Sequence, residues 1–283
     1  MRKIDTKGRV YSITADIEGL QDDIIVGAKH GFAVLNRKTG KHVYIKKLWD
    51  AEDGPGKEER CVFPSIFLSL SWSLKTRRMR LNDGAVDSGG RFWAGAMNDP
   101  KVTEPTDEGV LFRLDPDLKL HRIIEKVTIP NGIGWNVNDD IMFFTDSPTK
   151  NIYKFDYDAA TGDIGDRRVF FHLDERDGVP DGFAIDVEDH LWTAVFGGWK
   201  VLRVSPKGKV VGEISLPTRC ISCPSFVGEE LFIATAAEEA PEQYLESTKF
   251  AGSLFKVNVG VQGLPVNRFR TSQDVELPKA VAN

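Results

Sequence analysis

Residues 179–205 read VPDGFAIDVEDHLWTAVFGGWKVLRVS, short apolar runs parted by Asp, Gly and Pro. Runs this short, rich in Val, Ile, Phe and Trp and bounded by turn residues, are strands rather than helices. The last of them recurs along the chain. FAVLN starts at 32, LFRLD at 111, IYKFD at 152, VLRVS at 201 and LFKVN at 254. All but the first carry Arg or Lys at the third position between apolar residues, which predicts an outward-facing slot. Upstream of each lies a strand ending in small residues: DIIVGA, RFWAGAM, IMFFTDS, HLWTAVF and LFIATAA. The marker starts are 79, 41, 49 and 53 residues apart. Several strands per unit of roughly 40–50 residues is the period of a β-propeller blade. The predicted fold is an all-β propeller, with residues 1–283 forming a single domain.

The first interval is too long for that period. Within it lies CVFPSIFLSLSWSLKTRR at 61–78, which resembles no other part of the chain. Its apolar part is too short and too interrupted by Ser to span a bilayer. We read 61–78 as an insertion or a retained intron, since its removal joins GKEER to MRLNDG and shortens the interval to 61 residues.

The composition narrows the function classes. Net charge is −5, and no dense Lys/Arg patch alternates with aromatics, so neither nucleic acid nor membrane is an expected partner. Three cysteines in 283 residues argue against a disulfide framework. CISC at 220–223 has no second pair and no following helix, so it reads as buried thiols rather than a redox or zinc motif. The five histidines show no metal-ligand spacing. With no apolar leader segment at the start, a cytoplasmic location is expected.

Three related motifs precede apolar strands: LNDG at 81–84, PNG at 130–132 and PDG at 180–182. Asp-Gly after Pro is ordinary turn chemistry. Three such polar residues in equivalent places are either three turns or one site assembled from repeats. MRLNDGAVDSGGRFWAGAM (79–97), PNGIGWNVNDDIMFFTDSPTKNIYKFDYDAATGDIGDRR (130–168) and the segment 178–217 together resemble the SMP-30/gluconolactonase/regucalcin-like family. The likeness covers roughly residues 79–264, with a weaker match over 10–50.

That resemblance implies a six-bladed propeller with one divalent cation at the top of its channel, and hydrolysis of small sugar lactones. It places metal ligands at Asn131 and Asp181, and substrate contacts at Arg80 and Asn82. The residue types agree. Hard oxygen donors suit Ca²⁺ best and can also take Mg²⁺, Mn²⁺ or Zn²⁺. Asp181 would serve as ligand and as the base toward the attacking water. The planar fork of Arg80 suits sugar oxygens, and Asn82 can both donate and accept. Asp83 and Asp146 read as turn or supporting groups.

The match also has gaps. The family's third ligand, a Glu in a Gly-Glu-Gly-Pro motif, has no counterpart in this sequence, and Glu18 in DIEGL stands at the wrong spacing to replace it. Asp99 is the acid nearest to where mammalian members contact substrate, but it receives no role. Five blade markers where six are expected predict one incomplete blade. A site of one Asn and one Asp supports an alternative: a weak or inactive calcium-binding or scaffold propeller.

Overall fold

The computed structural model describes residues 13–48 and 78–278. Cys61 and the segment 61–78, apart from Arg78, lie outside the described residues. Twenty strands form five antiparallel sheets. The first runs β1 (Ile13–Asp16), β2 (Asp23–Ala28), β3 (Gly31–Asn36) and β4 (His42–Lys47). The second holds β5 (Met79–Val86), β6 (Phe92–Asn98), β7 (Gly109–Leu114) and β8 (Leu120–Val127). In the third, β9 (Pro130–Trp135), β10 (Ile141–Asp146) and β11 (Asn151–Asp158) are followed by β12 (Asp163–Ile164) and β13 (Arg168–His172), both paired to β11. The fourth contains β14 (Val179–Ile185), β15 (Leu191–Phe196), β16 (Lys200–Val204) and β17 (Val210–Ser215). The fifth has three strands, β18 (Ile221–Val227), β19 (Glu230–Thr235) and β20 (Leu254–Asn258).

Each sequence marker falls on the third strand of one sheet. The expectation of six blades, one of them incomplete, is therefore corrected: the described residues make five sheets, one per marker. They divide into two compact units, one holding β1–β8 with the segment from Asn267, the other holding β9–β20.

The recurring cation has a structural reason. Trp93 faces Arg113, Trp192 faces Arg203 and Phe232 faces Lys256 across the second and third strands of their sheets. The cations sit 5.6, 5.2 and 6.0 Å from the ring centroids. A cation over a ring shields aromatic surface and adds about 0.5–1 kcal/mol at an exposed site. The outward-slot reading fails at Arg113, which is buried at 6% exposure with its Nε donating to Asp115 at 2.7 Å. A ring above it and a carboxylate beside it let that guanidinium leave solvent.

Inside the first unit, Phe32 meets Phe92 edge to face at 5.3 Å within a cluster that includes Ile25, Leu81 and Phe112. Phe269 joins it, its backbone bonded to Asp16 and Glu18. Burying a side chain of this size contributes about 1.5–3 kcal/mol. In the second unit the glycines of β9 let β14 approach: Phe183 packs where side chains at Gly132 and Gly134 would stand. The hairpin turns are tied as well, Val137 N–H donating to Asp189 Oδ1 at 2.7 Å.

Gly132→Ala should lower stability by about 1–3 kcal/mol, because its methyl overlaps the Phe183 ring and one of the two must shift. Urea unfolding midpoints at constant m-value would measure this loss.

Candidate functional site

The three motifs are not turns. Each lies within the first strand of its sheet, where the ladder slips. On β5 the slip falls between Leu81 and Gly84, leaving Asn82 and Asp83 out of the pairing. On β14 it falls between Pro180 and Phe183, leaving Asp181 and Gly182. On β9, Asn131 pairs with Thr145 and Ile133 with Phe144, so Gly132 is the extra residue. A bulge of this kind re-aims side chains without reversing the chain.

In the second unit the bulges of β9 and β14 are joined. Asn131, buried at 7% exposure, donates from Nδ2 to Ser147 Oγ at 2.7 Å. Ser147, itself buried, donates to the Pro180 carbonyl at 2.6 Å. The Asp181 carbonyl lies 3.0 Å from where a Gly132 Cβ would stand. The amide of Asn131 and the carboxylate residue Asp181 thus sit on abutting backbones. Thr145, the register partner of Asn131, is fully buried, and its Oγ1 has no hydrogen-bond partner among the described residues. An amide oxygen, a carboxylate and an orphaned hydroxyl are the donor types a hard cation takes.

In the first unit, Arg80 Nη1 donates to Asn82 Oδ1 at 2.8 Å and to the Leu81 carbonyl at 3.0 Å. Burial pulls the Arg80 pKa down, and the Asp99 charge pushes it back up. Asp99 in turn pairs with Lys29 at 2.9 Å. Burial opposes ionisation of Asp99, but the Lys29 and Lys101 donors and the Arg80 charge hold its pKa below the usual range. Asp83 keeps some accessible surface but is closely ringed by protein. That desolvation raises its carboxyl to about 6, against the Gly84 N–H that it accepts at 2.8 Å. Glu18 forms an exposed ion pair with Arg270 at 2.7 Å.

A second acidic cluster, Asp186, Glu188 and His190, has ligand atoms within 4.8 Å of one another. It is already satisfied. Arg203 Nη2 donates to Asp186 Oδ2 at 2.9 Å and to Glu188 Oε2 at 2.8 Å. Asp186 also accepts from Trp192 Nε1 and from the backbone of Glu188 and His190. Burial opposes ionisation of Asp186, but these donors outweigh it and keep the pKa low. A guanidinium occupies the place a metal would take. CISC lies along β18 and the residue before it, with Cys220 buried and Cys223 exposed. Three residues of strand span about 10 Å, beyond disulfide reach. Sequence reasoning missed Ser147 and Thr145, which stand in TDS (145–147) at the end of the second strand of their sheet and have no counterpart in the other repeats to mark them.

Antiparallel sheets of consecutive strands, one per repeat, define an all-β propeller. Residues 2–237 match the SMP-30/Gluconolactonase/LRE-like region, and the chain belongs to that family. A Sulfolobus acidocaldarius protein of no stated function is 40% identical over 188 residues, covering 64% of this chain and 67% of that protein. Regucalcin of Gallus gallus is 35% identical over 194 residues, 66% of this chain and 64% of its own length. YvrE of Bacillus subtilis, whose name proposes a sugar lactone lactonase, is 33% identical over 255 residues, 89% of this chain and 78% of its own. The chain therefore spans roughly two thirds to three quarters of these relatives. Two solved structures share the fold. A regucalcin from Agrobacterium tumefaciens, described as calcium-binding, has TM-score 0.77 and 22% identity, covering 93% of this chain and 80% of that one. A luciferin-regenerating enzyme has TM-score 0.75 and 23% identity, covering 93% and 82%. No helix among the described residues is long and apolar enough to cross a membrane.

Asp83 supplies a pH prediction. Because its folded pKa is raised, the native state favours the protonated acid. Its contribution to stability is complete below about pH 4 and is lost as pH rises through about 6. Asp83→Asn, measured without metal, should gain up to about 3 kcal/mol over the parent at pH 8. At pH 4 the two unfolding midpoints should coincide.

Proposed function

We propose that the protein is a divalent-metal-dependent hydrolase that opens small sugar lactones. The observation that carries this reading is the Asn131–Ser147–Pro180 relay, which sets an amide and a carboxylate on adjoining bulges. Asn131 and Asp181 would hold the cation, Ca²⁺ by preference, with Mg²⁺, Mn²⁺ or Zn²⁺ as alternatives. When bound, the cation supplies Lewis-acid polarisation of the lactone carbonyl. Asp181 takes the proton from the attacking water on a carboxylate oxygen. Ser147 fixes the Asn131 amide so that no rotation is needed during the reaction. Arg80 and Asn82 hold the sugar oxygens. Their mutual hydrogen bond orients the guanidinium fork before substrate arrives. The family membership and the name of YvrE support the lactone class.

A second reading, a calcium-binding propeller without catalysis, draws on the regucalcin described as calcium-binding. The two readings separate on turnover. Sugar-lactone hydrolysis should stop with chelator and fall by at least ~100-fold in Asp181→Asn. Arg80→Lys should raise KM by about tenfold with kcat nearly unchanged, since it keeps the charge and loses the fork. Ca²⁺ binding with no turnover of any sugar lactone would favour the second reading.

A further inference from the structure

The bulge on the first strand occurs a fourth time. On β18 the ladder slips between Ile221 and Cys223, leaving Ser222 unpaired. Its register is the telling feature. In the second, fourth and fifth sheets, one first-strand residue pairs with the third residue of FWAGAM, LWTAVF or LFIATA: Gly84 with Ala94, Phe183 with Thr193, Pro224 with Ile233. Counting back two positions gives Asn82, Asp181 and Ser222. Ser222 thus holds in its sheet the place that Asn82 and Asp181 hold in theirs.

The neighbourhood agrees with the register. The Ser222 carbonyl lies 2.9 Å, and Cys223 Sγ 3.1 Å, from where a Gly182 Cβ would stand, so this bulge abuts the residue after Asp181. Ser222 is half-buried. A buried hydroxyl of the same unit has structural work: Ser247 accepts from Thr218 or donates to it at 3.0 Å and accepts the Arg219 N–H at 2.9 Å. The Ser222 hydroxyl makes no hydrogen bond among the described residues. Thr145, in the third sheet, shows the same condition.

We propose that Ser222 is a substrate-positioning residue, whose hydroxyl exchanges hydrogen bonds with a ring hydroxyl of a polyhydroxylated lactone. A neutral hydroxyl both donates and accepts, as a sugar hydroxyl requires, and adds no charge beside Asp181. The inference rests on the lactonase reading. It concerns only which substrates bind well, not the chemical step.

The test compares the full chain with Ser222→Ala, Ser225→Ala and Asp181→Asn. Ser225 is an exposed residue of the same strand and serves as the control. A lost neutral hydrogen bond of about 1 kcal/mol is a fivefold change. Ser222→Ala should raise KM for glucono-δ-lactone about fivefold and weaken gluconate binding by calorimetry to the same degree. Its kcat, its Ca²⁺ affinity and its activity on unsubstituted δ-valerolactone should match the parent, and Ser225→Ala should match the parent throughout. If Ser222→Ala leaves gluconate binding unchanged while Asp181→Asn abolishes turnover, Ser222 has no such role and the lactonase reading stands. Equal losses on both lactones, or a loss of Ca²⁺ affinity, would also overturn the positioning role. A parent protein that opens neither lactone overturns both.

Discussion

The hydroxyl of Ser147 is the narrowest link in the second unit. It accepts from the Asn131 amide and donates to the Pro180 carbonyl, so one side chain sets the relation between two first strands. That exchange is possible because β9 is lined with glycine where it meets Phe183. Close approach brings the strands near enough for a single hydroxyl to bridge them. The bulges then become available as a pair rather than as separate irregularities. Packing and polar geometry are one constraint here: a longer side chain at Gly132 would part the strands and break the relay.

Two polar clusters of the second unit show how different environments assign different duties to similar residues. Around Asp186 every acceptor position is met by Trp192, by backbone N–H groups or by Arg203, and the charge is balanced within 3 Å. Such a cluster is complete in itself and locks a hairpin turn. Beside Asn131 the amide nitrogen is satisfied by Ser147, while the Thr145 hydroxyl has no partner among the described residues. Proximity of acids alone would have singled out the first cluster, whereas the orphaned Thr145 hydroxyl lies beside the second, the place proposed above for the cation.

Much of this was legible in the sequence. The five recurring strands mark the five sheets because each is a short apolar run, four of them alternating around one Arg or Lys. Arg113, Arg203 and Lys256 recur since each meets an aromatic across the ladder, a local relation that a linear pattern preserves. Asn82, Asn131 and Asp181 stood out for the same reason, as polar residues repeated beside glycine. Their conformation was not legible. Pro-Asp-Gly favours a reversal locally, and only pairing with β15 keeps the chain extended through a bulge. The burial of Arg113, the Ser147 relay and the desolvation of Asp83 depend on neighbours distant in sequence, which local pattern does not encode.

The fifth sheet has a consequence of its own. It ends at β20, which pairs with β19 and with no further strand among the described residues. Its other flank carries backbone donors and acceptors in the arrangement that a foreign strand would seek. Lys256 stands in the middle of that strand, paired with Glu230 at 2.6 Å and set over Phe232. Another chain docking in register would have to displace or bury an ammonium group at its centre. The cation that shields an aromatic ring in two other sheets is here also a gatekeeper against misassembly.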